Sequence, residues 1–376
     1  MRIQPRAMGL PALGLLPVLA VLSGANALHA AEPATVSFYE CLRCAKAPVV
    51  DGKLDDPCWQ SLPAMDQFYQ YWTPVAKPPP LKTAARLCFD DRGLYMGLTL
   101  YEDRLDQIKA KITSRDAPDL WQDDCVEIML DPTNGGTGYY KFTTNSLATR
   151  YDEKTTNMVM DSGWNVEGWQ VKTSRGNDAW YIELSLPWSD LDRKPREGDI
   201  WSFDLVRYGY CSGAFKGVTW ALGGSYANPS RFGHLGFGRF APWTDAALAH
   251  VAKTLAKTKG DRFRMLLPGL VLTHDRGRWQ RQGLKEWVQV ALKLPDQELQ
   301  QAGTATAGLS ESDVKARLDK SVAELTTKLS ELHTQAAAGD LSPGVAALAF
   351  DQLATLRRQL ADVKWEAKLW ALVAEE

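Results

Sequence analysis

The residues best suited to chemistry lie together in one stretch, Trp121-Gln122-Asp123-Asp124-Cys125-Val126-Glu127-Ile128-Met129-Leu130-Asp131-Pro132. If Val126, Ile128 and Leu130 face a core, strand alternation sends Glu127 to the opposite face. A carboxylate beside an aromatic plane can hold a sugar, because the ring stacks on the apolar face of a pyranose while the acid accepts hydrogen bonds from hydroxyls. The same acid on a solvated outer face would have no such role, and spacing alone leaves both readings open. A glycosidase would need two carboxylates flanking a cleft, and no such pair can be singled out. There is no Ser-centred nucleophile elbow, no phosphate-cradling Gly loop and no zinc-binding His pair, and the 5 His are scattered. Absence of these motifs does not exclude catalysis, so the residues alone leave both binding and a carbohydrate-active hydrolase component open.

Positioning such a stretch requires strands. From Thr35 to about Trp243 short alternating runs are separated by Gly, Pro, Asn and Asp. Leu94, Met96, Leu98 and Leu100 alternate with Tyr95, Gly97, Thr99 and Tyr101, and Trp180, Ile182, Leu184 and Leu186 with Tyr181, Glu183 and Ser185. Trp201, Phe203 and Leu205 alternate with Ser202, Asp204 and Val206. This pattern predicts a mainly β chain, an antiparallel, jelly-roll-like β-sandwich over 35–243. Trp59, Trp180, Trp188, Trp201 and Trp220 read as core. Beyond Trp243 the composition shifts to Ala, Leu, Lys, Glu and Gln, which predicts a C-terminal α-helical extension. A mixed connector with helices near Ala246–Lys257 and Gly283–Leu294 spans 244–302, and 302–308 reads as a flexible link. An α-helical hairpin follows over 309–376, its helices opened by a capping box at Ser310–Asp313 and by Ser342-Pro343-Gly344. Trp365 and Trp370 fall on helical spacing with Leu369 and Leu372 and read as packing residues. The same helices are the surface expected to meet a protein partner.

Four ordered segments carry a resemblance to a known family. Pro48-Val49-Val50-Asp51-Gly52, followed by acids and Trp59, is the first, and Asp90-Asp91-Arg92-Gly93-Leu94-Tyr95-Met96 the second. Trp121 to Asp131 and Asn228-Pro229-Ser230-Arg231-Phe232-Gly233-His234-Leu235 complete the set. The chain from Thr35 to about Phe240 resembles family 9 carbohydrate-binding modules. That resemblance implies a non-catalytic β-sandwich that clamps the end of a glycan chain, or a small sugar, between two aromatic plates, here Trp121 and Tyr226. It further implies hydrogen bonds from Glu127, Asn145 and Asp103. Thr143 stands where family members direct an Arg at the sugar, so Arg207 or Arg150 is expected to supply a cation instead, Arg207 being equally suited to pair with Asp123 and Asp124. The family often carries calcium, for which Asp51, Asp55 and Asp56 are candidates; the alternative is that Asp51-Gly52 forms a turn and Asp55 caps a short helix. Some relatives bind haem, for which His234 and Met129 are the nearby ligand types.

The rest bounds the setting. A net charge of -2 lacks the basic excess that a phosphate backbone requires, so nucleic acid is not an expected partner. Arg2 and Arg6, an apolar run from about Met8 to Leu22, and small residues at Ala25, Ala27 and Ala30 read as a signal peptide over 1–30, which predicts export to the periplasm or medium. That run holds Pro11, Gly14 and Pro17 and is too short for a stable membrane span. Of 6 Cys, only Cys41 and Cys44 are close in sequence, and they read as a local disulfide or two free thiols.

Overall fold

A computed structural model describes residues 33–73, 76–223, 228–337 and 341–374. The signal-peptide stretch and Tyr226 lie outside the described residues. In chain order the strands of the larger sheet are β2 (Phe38–Arg43), β3 (Tyr69–Gln70), β4 (Thr83–Phe89), β5 (Gly93–Tyr101), β6 (Cys125–Asp131), β7 (Tyr139–Asn145), β8 (Arg150–Thr156), β9 (Val159–Asp161), β10 (Gln170–Arg175), β11 (Ala179–Pro187), β12 (Ile200–Gly209), β13 (Lys216–Thr219) and β14 (Gly233–Phe237). They run in the order β10-β11-β5-β4-β2-β14-β12-β6-β7-β8-β9, with β13 and β3 added alongside β12. Pairing is antiparallel except at β2, which is parallel to both β14 and β4 and joins the two halves.

The sheet curls so that its halves face each other over one apolar core. Leu94, Met96, Leu98 and Leu100 of β5 and Trp180, Ile182, Leu184 and Leu186 of β11 share that core with Val126, Ile128 and Leu130 of β6 and with Trp201, Phe203 and Leu205 of β12. The alternation in the sequence thus becomes two inward faces, as sandwich packing requires. All five tryptophans read as core are buried. The outward faces are not bare, however. Glu183, on the back of β11, is buried because the opening segment folds over it: its carboxylate accepts from the backbone N–H groups of Asp51 and Gly52 at 2.9 and 3.0 Å and from Trp59 Nε1 at 2.9 Å. Gly97 makes room for this lid, since a Cβ there would lie 2.8 Å from the Leu54 side chain and 3.3 Å from the Trp59 ring. Trp59 itself sits on the short helix α1 (Pro57–Ser61), whose N-cap position is Asp56 and not Asp55.

The 244–302 stretch differs from a connector. After α2 (Asp245–Lys259), β15 (Arg262–Leu267), β16 (Leu270–Asp275) and β17 (Arg278–Gly283) form a second sheet, completed by β1 (Ala34–Val36) running parallel to β15. Positive φ at both Arg276 and Gly277 makes the tight turn between β16 and β17. Leu248, Val251 and Leu255 of α2 pack on this sheet with Phe240 and Trp243. The residues read as a flexible link are the last turns of α3 (Leu284–Ala307), because Ala302 and Thr306 are buried against neighbouring helices. With α4 (Asp313–Ala337) and α5 (Pro343–Ala374), α3 therefore makes a three-helix packing where a hairpin was expected. Ser312, not Ser310, caps α4 by accepting from Lys315 N–H at 3.2 Å, while Ser342 caps α5 as anticipated. Trp365 and Trp370 are not packed: Trp365 is 66% exposed, and Leu369, Leu372 and Val373 share its exposure. No helix among the described residues is long and apolar enough to cross a membrane.

Candidate functional site

An aromatic cleft of about 440 Å³ opens at the Tyr208–Tyr210 end of β12, lined by Trp72, Trp121, Glu127, Tyr208, Tyr210 and Phe215. Its size lies within the range of small-ligand sites. Trp121 comes from a 3₁₀ turn, Leu120–Gln122, pinned from below by buried Leu120. The two acids after it are structural clamps. Asp123 Oδ2 accepts from the N–H groups of Lys111 and Ile112, both at 2.9 Å, and Asp124 accepts from Lys109 N–H at 2.8 Å and Tyr210 N–H at 3.0 Å. Tyr210 then donates its hydroxyl to the Trp121 carbonyl at 3.1 Å. These bonds fix the indole's backbone, yet 49% of Trp121 stays exposed.

Trp72 supplies the other large indole and is 63% exposed. Its backbone has φ of 59°, which turns the side chain back over the sheet. There it stacks on Tyr71 at 4.9 Å and meets Phe215 at 5.8 Å. Gly217 permits this arrangement, since a Cβ would come within 2.9 Å of Tyr71 and 3.0 Å of Phe215. The wall continues through Phe215 to Tyr208 and Tyr210, each 5.5 Å away. Trp72 carries no strand-pattern signal. An indole beside Tyr71 and followed by Thr73-Pro74, outside any alternating run, was the available clue.

Glu127 forms the floor, on the face opposite Val126, Ile128 and Leu130 as alternation predicts, but it is buried and not solvated. Tyr208 donates to Glu127 Oε2 at 3.1 Å, and Lys141 Nζ lies 3.6 Å from Oε1. Lys141 also pairs with Glu153 at 3.1 Å, and Glu153 accepts from Tyr151 at 2.6 Å. Burial pushes the Glu127 carboxyl above the usual carboxylate range, against the pull of Lys141 and Tyr208. Two carboxylates thus share one ammonium beneath the cleft, and Glu127 keeps acceptor capacity for a hydroxyl above it. Lys141 is the cation nearest Glu127, in place of Arg207 or Arg150, but it is buried beneath the floor and does not line the cleft. It lies two residues before Thr143 on the same face of β7, so strand alternation could have found it.

The remaining described candidates do not line the cleft. Thr143 is the cross-strand neighbour of Glu127, buried, with a hydroxyl that has no partner among the described residues. Asn145 does not line the cleft. Its amide donates to the Ile112 carbonyl at 2.8 Å and to Asp123 at 3.0 Å, and its oxygen accepts from Leu147 and Thr149 N–H, so its capacity is spent on the turn. Asp103 is exposed in the turn after β5, away from the cleft lining. Arg207 is wholly buried on the core side of β12 and donates to the carbonyls of Lys82 and Tyr101 at 3.0 and 2.9 Å. Its ion-pair partner is Glu102, at 3.3 Å, in place of the expected Asp123 and Asp124; burial lowers its guanidinium to about 10. Arg150 lies over the Trp169 ring and donates to the Trp169 carbonyl at 2.6 Å.

Asp51, Asp55 and Asp56 do not converge as calcium ligands. Asp51 accepts from Lys53 N–H at 2.9 Å, Asp56 from Val49 N–H at 3.0 Å, and Asp55 is exposed. One group of ligand types among the described residues is close enough for a metal, Glu102, Asp124 and Cys211. The Arg207 guanidinium, paired with Glu102, already supplies its positive charge. His234 and Met129 are both buried on the sheet's outer face, His234 Nδ1 3.2 Å from Asn134 Oδ1 and Met129 among Tyr139, Val206 and Phe232, and neither lines the cleft.

Comparison with known proteins bears on the family. The chain is 23% identical over 192 residues to endo-1,4-beta-xylanase A of Thermotoga neapolitana and, at the same identity and length, to that of Thermotoga maritima. The match covers 50% of this chain and 17% of each xylanase, a small part of those proteins. A solved family 9 carbohydrate-binding module from Caldicellulosiruptor kristjanssonii in complex with glucose is 21% identical, covers 54% of this chain and 96% of its own, and superposes with a TM-score of 0.41. Residues 50–237 of the 376 match the family described as carbohydrate family 9 binding domain-like, and the chain belongs to that family.

Proposed function

We propose that this protein binds carbohydrate without cleaving it, in the cleft between Trp72 and Trp121, and that it does so after export, in the use of polysaccharide outside the cytoplasm. The observation that carries the reading is the pair of solvent-exposed indoles lining one cleft above a buried, acceptor-rich carboxylate. Exposed Trp faces are costly in water unless a ligand covers them, and a pyranose offers both the apolar face that stacks and the hydroxyls that reach Glu127. Family membership supports the same ligand class. Binding is favoured over hydrolysis because Glu127 is the one carboxylate among the described lining residues, where a glycosidase needs two. Export rests on the basic, apolar and small-residue sequence of the first thirty positions.

A glycan array probed with the wild type and with a Trp72→Ala, Trp121→Ala double variant tests the proposal. Binding to one family of glycans that the double variant loses is the expected result. Equal binding by both proteins, or no glycan bound by the wild type, would overturn it.

A further inference from the structure

The six cysteines are all free thiols, but they are not scattered. Cys41 points into the main core, whereas Cys44 packs on the other side, with Cys58, against the small cluster of Trp59, Cys88 and Tyr95. Cys44 therefore neighbours Cys88 and Cys58, not Cys41. In the parallel pairing of β2 with β4, Leu42 is opposite Cys88 and Arg43 opposite Phe89. Cys44 N–H extends the ladder to the Phe89 carbonyl at 2.9 Å, and its Sγ lies 3.4 Å from the same oxygen. We propose that Cys44 and Cys88 are a dithiol that closes to a disulfide when the protein meets a small-molecule disulfide.

The two thiols divide the work. Cys44 is half-buried and within reach of a reagent; Cys88 is buried behind it. The Cys88 S–H holds the Cys44 thiol below its usual range, with Arg43 adding a smaller pull, so Cys44 is the thiolate that attacks. Its attack on the donor disulfide forms a mixed disulfide and expels one small thiol. Cys88 is held protonated chiefly by its hydrogen bond to Cys44 and by burial. Once Cys44 is bonded to sulfur, the charge opposing ionisation of Cys88 is gone. Cys88 then gives up its proton and attacks the Cys44 sulfur, and the second small thiol leaves. Two protein thiols are oxidised and one donor disulfide is reduced to two thiols. Cys58 also contacts Cys88, but its thiol is raised by burial and by Asp56, so it stays protonated and is not the first to attack.

The test is to incubate the full chain with oxidised glutathione, quench with acid, alkylate under denaturing conditions and map peptides by mass spectrometry. Trypsin cleaves after Arg43, which separates Cys41 from Cys44. The expected result is the loss of two alkylatable thiols and a peptide pair joined through Cys44 and Cys88. Cys88→Ser is expected to stop at glutathione attached to Cys44. Six alkylated thiols, a stable glutathione adduct on the wild type, or a link through Cys41–Cys44 or Cys58–Cys88 would overturn the assignment. If Cys88→Ser does not fold, Cys44→Ser at its half-exposed position serves: cross-linking is expected to vanish, and a Cys58–Cys88 link forming at the wild-type rate would overturn it.

Discussion

Replacing Trp121 with Ala removes one wall of the cleft while leaving its supports in place. The 49% of Trp121 left exposed amounts to roughly 120 Å² of an indole side chain of about 250 Å². A sugar lying on one face would cover about 100 Å² of it, worth about 2.5 kcal/mol at about 25 cal/mol per Å², or roughly a 60-fold loss of affinity. Stability should change little, because the anchors of this turn are backbone bonds from Asp123, Asp124 and Tyr210 and the buried Leu120, none of which the substitution touches. Calorimetric titration with the strongest glycan from the array, beside a thermal melt, reads both quantities. Binding within threefold of the wild type by a well-folded Trp121→Ala protein would refute the reasoning.

The other expectations follow from the same geometry. Trp72→Ala should weaken the same glycan at least tenfold in the same titration, whereas a neutral result would remove Trp72 from the site. Arg207→Met leaves Glu102 buried without its partner and should cost about 3–5 kcal/mol in urea unfolding, with no selective effect on sugar affinity in the folded protein. Asp204 is raised by burial from 3.8 to about 7, although Ala221 N–H and Thr219 hydroxyl oppose the shift. A raised acid contributes stability below its unfolded value that is lost as pH rises through its folded value, so wild type should lose about 2.5 kcal/mol relative to Asp204→Asn between about pH 5 and pH 8. Urea unfolding at those two pH values checks it, and parallel curves for the two proteins would contradict it. Trp365→Glu, on the exposed face of α5, should move unfolding free energy by no more than about 0.5 kcal/mol.

Period-two alternation made the sandwich legible, because Leu94 to Leu100 and Trp180 to Leu186 each repeat over four inward positions with polar or small residues between. It did not reveal the second sheet over 262–283, where β15 begins with an Arg262-Phe263-Arg264 run and β17 is polar on most positions. Sheet pairing of β15 to β1, more than two hundred positions earlier, is invisible to any local pattern. At the cleft, alternation gave the face of Glu127 but not its burial, and the resemblance to the family singled out both Glu127 and Trp121, which line it together. Trp72 was missed because a left-handed backbone in a loop, not strand periodicity, aims it. Asn145 and Arg207 had the right chemistry but the wrong partners: burial beside unsatisfied backbone groups claimed their hydrogen bonds for the fold.

A glycan held in the proposed cleft would touch Trp72 and Trp121 and leave the buried tryptophans alone. Indole ¹H–¹⁵N resonances of the 14 Trp, assigned through single Trp→Phe variants and followed during titration with the strongest array glycan, test it directly. The Trp72 and Trp121 signals are expected to shift together and saturate at one dissociation constant, while those of Trp180 and Trp201 stay in place. Saturable glycan binding that moves neither Trp72 nor Trp121 would contradict it.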